Sequence, residues 1–169
     1  MSFFWCVACC IIHREQDKEQ KMKVQIYSRK AIEKLLQGNF PENAAVISFY
    51  DPQNIRTGEV YSPVNFGKKA ERVFTAAVHD INIEELPDYN SNFDAYFPEA
   101  AAIAEFVKRA YNDGLDIICQ CEYGQSRSAA CAAAILEYYY HNGISIFADY
   151  RYCPNQLIYN KLKSALDKE

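Results

Sequence analysis

The stretch Cys121-Glu122-Tyr123-Gly124-Gln125-Ser126-Arg127-Ser128 decides the reading of this chain. The apolar run Leu115-Asp116-Ile117-Ile118-Cys119-Gln120 precedes it, and the small-residue run Ala129-Ala130-Cys131-Ala132-Ala133-Ala134-Ile135-Leu136 follows. That order predicts a buried strand, a tight loop and the start of a buried helix. The first N–H groups of a helix lack partners inside it, so they attract anions. A cysteine there is drawn toward thiolate by the helix dipole and by the nearby Arg127. Gly124 supplies the backbone freedom that a loop wrapped around an anion often needs. The loop therefore places a sulfur nucleophile and a guanidinium around a space suited to a phosphoryl group.

Moving outward, alternating elements follow one another. Val24–Tyr27 reads as a strand, and Ser28 offers an N-cap for a helix over Arg29–Gln37, closed by Gly38. Ala44–Tyr50 reads as a buried strand ended by Asp51-Pro52. Residues 53–69 read as loop. Arg72–His79 reads as a strand ending at Asp80. The polar stretch Ile81–Asp94 is long for a plain connection, and such loops are often functional. A helix follows with Pro98 near its first turn, its inner face formed by Ile103, Phe106, Val107, Ala110 and Tyr111. A central buried helix is expected over 127–142, ended by Gly143. A last helix after Pro154-Asn155 has Tyr159, Leu162 and Leu166 inward. Alternating strands and helices imply an α/β fold with a largely parallel central sheet flanked by helices. Parallel strands bring Asp80 and Cys121 to one rim, where such folds bind ligands.

Composition bounds the alternatives. The chain has 169 residues, 50% hydrophobic, with a formal net charge of −4, consistent with one globular domain over 22–169 and arguing against nucleic acid as a partner. Seven cysteines and three histidines show no metal-ligand spacing, so no metal and no cofactor is expected. A nucleophilic thiol must stay reduced, which favours the cytoplasm. The apolar residues 1–12 are too few to span a bilayer, and 1–21 read as an N-terminal extension, with translation expected to begin naturally at Met22.

The loop Cys121-x5-Arg127-Ser128 resembles the signature loop of cysteine-dependent tyrosine and dual-specificity phosphatases. The likeness extends to the order of an acidic loop, a long helix and the signature loop, and to an Arg and a Pro-Asn pair before the last helix, here Arg151 and Pro154-Asn155. The resemblance implies a single-domain, monomeric enzyme acting on a phosphorylated protein or peptide. It implies Cys121 as nucleophile, Arg127 as phosphate clamp and Ser128 as the hydroxyl that helps the thiolate leave. The backbone of Glu122, Tyr123, Gly124, Gln125 and Ser126 would bind substrate oxygens, and an aspartate before the long helix would act as general acid. Asp80 is the first choice, with Asp88 and Asp94 as alternatives. The family usually has histidine where this chain has Gln120, so a weakly catalytic phosphate-binding module is a second reading. A sulfur-transfer or arsenate-reducing enzyme, with Cys119 or Cys131 resolving a disulfide, is a third.

Overall fold

A computed structural model describes residues 21–54, 56–70 and 72–168. The expectations for residues 1–20 lie outside the described residues. The strands are β1 (Val24–Ser28), β2 (Ala44–Tyr50), β3 (Arg72–Ala77) and β4 (Asp116–Cys121). They form one sheet in the order β1-β4-β2-β3, every adjacent pair parallel. The helices are α1 (Arg29–Gln37), α2 (Ala100–Asn112), α3 (Arg127–Tyr140), the short α4 (Ile144–Phe147) and α5 (Gln156–Leu166).

β2 and β4 are nearly continuous apolar runs because they are central strands covered on both faces. Val46 and Ile118 face a cluster with Ile32 of α1, Phe40, Val64 and Phe66. Their neighbours Ala45, Ile47, Ile117, Cys119 and Cys121 face the larger cluster built from α2, α3 and α5. This period-two division assigns Cys119 and Cys121 to the same face, as expected of residues two apart on a strand. α3 is buried from Arg127 through Ile135, which its Ala-rich sequence permits because small side chains let the helix lie close to the sheet. No helix among the described residues is long and apolar enough to cross a membrane.

Several expected boundaries move for identifiable reasons. β1 and α1 form as read, and the Ser28 hydroxyl caps α1 by accepting from the Ala31 N–H at 3.2 Å. β3 stops at Ala77 rather than His79. Val78 still donates its N–H to Tyr50 O at 2.9 Å, but its carbonyl is taken by the Arg127 Nη1–H at 2.6 Å. α3 ends at Tyr140 and not at 142, because His141 adopts a left-handed conformation (φ 50°) that terminates it. Gly143 is needed for a different reason: a Cβ there would lie 2.5 Å from the Ala133 carbonyl oxygen. On α2, Ala100 and Ala104 join the core, whereas Tyr111 is 38% exposed and stacks on Tyr139. On α5, Leu157 and Ile158 are buried with Leu162 and Leu166, and Tyr159 sits at the edge against Phe147.

Ile135 is fully buried where α3 meets the main core. Ile135→Ala is expected to cost about 2–5 kcal/mol, read as a lower urea midpoint at unchanged slope.

Candidate active site

Cys121 ends β4, and Arg127 begins α3, so the five residues between them make the strand-to-helix turn. Gly124 takes φ +70° at its centre, and a Cβ there would meet Ser28 N at 2.6 Å. Only glycine lets the loop sit this close to the β1–α1 junction. The Gly124 N–H donates to Cys121 Sγ at 3.3 Å, and Ser128 Oγ lies 3.1 Å from the same sulfur.

The loop carbonyls are engaged from outside. Glu122 O accepts from Arg29 N at 3.0 Å, Gln125 O from Cys153 N at 3.0 Å, and Ser126 O from Asn155 N at 3.4 Å. In a planar trans peptide the next N–H points opposite to the carbonyl. The amides of Tyr123, Ser126 and Arg127 therefore point away from those partners. Cys121 is only 1% exposed, so a reactant must enter the loop itself to reach the sulfur.

Arg127 is 2% exposed although it carries a full charge. Its Nη1–H donates to Val78 O at 2.6 Å, and its Nη2–H donates to Asp51 Oδ2 at 2.8 Å. Its Nε–H has no hydrogen-bond partner. An unmatched buried donor on a cation is costly, and it marks where an anion's oxygen would be bound.

Asp80 reaches this loop from the end of the β3 segment. Its Oδ1 accepts from Ser126 Oγ–H at 2.6 Å and from Asn155 Nδ2–H at 2.9 Å, and its Oδ2 lies 3.7 Å from Arg127 Nε. Asp88 and Asp94 are both exposed. Asp88 sits in the 3-10 turn Leu86–Tyr89, and Asp94 has its carbonyl bound by Lys161 Nζ. Neither makes a contact with the loop like that of Asp80. Glu122 and Tyr123 line a cleft of about 920 Å³ beside the loop, which also includes Asp51, His79, Asp88 and Tyr89, while neither Cys121 nor Arg127 lines it. Tyr123 is 78% exposed.

Gln120 is buried, and its Oε1 accepts from the Ser48 hydroxyl at 2.6 Å, its neighbour in register on β2. Burial pushes the Cys131 thiol well above its ordinary range, and a hydrogen bond with Cys119 adds to this. Both are small core residues in the same cluster as Cys121. Arg151 does not join the site; its side chain is largely exposed and pairs with Asp149. Among the described residues no group of His, Cys, Asp and Glu could hold a metal ion.

Asp51 and Asn155 are the residues that sequence reading missed as parts of the site. Asp51 was legible only as a strand terminator, and Asn155 as half of a Pro-Asn pair. His79, its ring tilted 57° against that of Tyr89 with centroids 4.7 Å apart, completes the surround, with its Nδ1 3.8 Å from Asp51 Oδ1. Burial lowers the proton affinity of His79; Asp51 opposes this and Arg127 reinforces it.

Two predictions follow from this geometry. Gly124→Ala is expected to destabilise by about 1–3 kcal/mol and to weaken vanadate binding, read by calorimetry, because the φ and the contact with Ser28 are both incompatible with a side chain. His79 binds its proton less readily folded than unfolded, so stability is full above about pH 6.5 and falls as pH drops below it. Urea midpoints across that window should lose part of this slope in His79→Gln.

No protein-family model matches the chain, and a comparison with curated proteins finds no match. Among solved structures, it is similar to human DUSP28 at 18% identity, covering 88% of this chain and 94% of that one, with a TM-score of 0.47. The phosphatase Tk-PTP in its active form gives 14% identity, 89% and 95% coverage, and a TM-score of 0.48. The human tyrosine phosphatase-like serine/threonine/tyrosine-interacting protein gives 17%, 81% and 83%, and 0.44.

Proposed function

We propose that the protein hydrolyses phosphate monoesters on phosphotyrosine-bearing proteins, with phosphoserine and phosphothreonine as further substrates to test, through a cysteinyl-phosphate. The observation that carries this reading is the buried Arg127 Nε–H without a partner, next to a loop whose sulfur already gathers a backbone N–H and a hydroxyl. A phosphoryl group seated there would accept from Nε and from loop amides turned to it, which would supply charge stabilisation without reorganisation.

In the first step Cys121 Sγ, as thiolate, attacks phosphorus while the bond to the ester oxygen breaks. Asp80 gives its proton to the departing oxygen, so the alcohol leaves neutral. In the second step water attacks phosphorus, Asp80 takes the water's proton, and the P–S bond breaks. Ser128 hydroxyl, 3.1 Å from the sulfur, stabilises the returning thiolate. Splitting one difficult displacement into two is the advantage of covalent catalysis.

The mouth of the loop favours a singly phosphorylated group. Glu122 and Gln125 bring no positive charge, and Arg29 is engaged by Glu33, Glu122 and the Ser62 carbonyl. A headgroup with several phosphates would find little to neutralise it.

A second reading, a phosphopeptide-binding module with slow turnover, draws on Gln120. Its neutral amide stands where the family usually carries histidine, and it is tied to Ser48. The two readings separate in one assay. Para-nitrophenyl phosphate hydrolysis is expected in the wild type and is expected to vanish in Cys121→Ser. Arg127→Lys should lose at least about a hundredfold, because a point charge cannot reproduce the planar fork. Asp80→Asn is expected to lose roughly 10²–10⁴-fold and to flatten the decline of activity on the alkaline side. An inactive wild type that still binds phosphopeptide would favour the binding module.

A further inference from the structure

Asn155 uses every hydrogen-bonding group of its side chain, and it joins two segments, the start of α5 and residues 80–81. Its Oδ1 accepts from the Ile158 N–H at 3.0 Å, capping α5. Its Nδ2 donates one hydrogen to Asp80 Oδ1 at 2.9 Å and the other to Ile81 O at 2.8 Å. The surroundings fix the orientation of this amide. Flipping it would set an NH₂ against the Ile158 N–H and an oxygen against both a carboxylate and a carbonyl.

Asp80 Oδ1 thus receives two donors, Asn155 Nδ2–H and Ser126 Oγ–H, and neither the amide nitrogen nor a hydroxyl committed to donating has a lone pair to offer a proton on that oxygen. Among the described residues Oδ2 has no such donor. It lies 3.7 Å from Arg127 Nε, whose own hydrogen is unmatched, so both atoms border the same space. The approach of Asp80 is further fixed by Tyr96, whose hydroxyl donates to the His79 carbonyl at 2.8 Å, one residue before.

We propose that Asn155 is a positioning residue for Asp80: it holds Oδ1, so that the acid's proton resides on Oδ2 and faces the leaving oxygen. This rests on the phosphatase reading above. Asn155 touches neither substrate nor reacting atoms and acts only through the carboxylate. One side chain, at the start of the last helix, thereby couples the cap of α5 to the geometry of proton transfer.

The experiment compares phenyl phosphate with para-nitrophenyl phosphate, which differ in the basicity of the leaving oxygen and little in shape. The variant is Asn155→Asp, which can still accept from Ile158 N–H and keep the cap but replaces the donor to Asp80 with an oxygen. Its kcat/KM is expected to fall about tenfold to a hundredfold on phenyl phosphate and only about threefold on the nitrophenyl ester, which needs little acid assistance. The double variant with Asp80→Asn should be no slower than Asp80→Asn alone, since both changes remove one function. Equal losses on the two esters, or additive losses in the double variant, would overturn the proposal. If Asn155→Asp does not fold, Asn155→Ser, which can cap but cannot reach Asp80, is expected to show the same split between esters. A wild type that hydrolyses neither ester defeats the phosphatase reading, and the positioning role with it. An active wild type with a uniform loss defeats the positioning role alone.

Discussion

The burial of one guanidinium, that of Arg127, constrains most of this structure. Removing a cation from water costs several kcal/mol unless its hydrogens find partners. Arg127 recovers part of that by drawing the Val78 carbonyl and the Asp51 carboxylate to it. Those two groups stand at the ends of β3 and β2, so the cation ties the start of α3 to the carboxyl edge of the sheet. The Val78 carbonyl, past the last bond of the β2–β3 ladder, goes to this contact, and Asp51, placed just after β2, is held where His79 also approaches. The edge of the sheet is shaped by the needs of the site.

The opposite side of the loop is held by backbone. The segment ahead of α5 donates Cys153 N–H and Asn155 N–H to two loop carbonyls, and α1 donates Arg29 N–H to a third. Each such bond fixes a peptide plane, with its N–H directed away from the outside donor. An anion site made this way needs no cluster of basic side chains, which suits a chain with a net charge of −4. It also accommodates Gln120. With no charged ring beneath the sulfur, the electrostatic character of the loop falls to Arg127, the amides and the N-terminus of α3, while Gln120 and Ser48 lock β4 to β2 in register.

What the sequence made legible was local. Ser28 as a cap, the uninterrupted apolar runs of β2 and β4, and the small residues of α3 announce their elements because propensity, capping and period agree. The shared rim of Asp80 and Cys121 follows from parallel strands alone. The partners of Arg127 were not legible: nothing local in Val78 or Asp51 states that they meet a residue 49 or 76 positions away. Nor was the partner of the Val78 carbonyl legible: Pro52 has no N–H to continue the ladder, and the guanidinium that takes that carbonyl comes from far along the chain. His141 misleads for a related reason. A glycine two residues on looks like the terminator, whereas that glycine is required for its close approach to the Ala133 carbonyl.

Among the described residues, two buried side-chain atoms lack a hydrogen-bond partner, Glu99 Oε2 and Arg127 Nε. The second is the harder to account for by stability. The neighbouring groups Val78 O, Asp51, Asp80, Ser126 and Asn155 are all hydrogen-bonded, yet Asp80 Oδ2 stays 3.7 Å from the Arg127 Nε nitrogen. A fold optimised for itself would close the gap, because a charge-assisted bond at ordinary distance is available for a small rotation. Asn155 and Ser126 prevent the rotation by holding Oδ1. On the proposed function, the contacts that leave this donor open are the ones that would aim Asp80, and a phosphoryl oxygen is the kind of group that would satisfy the donor.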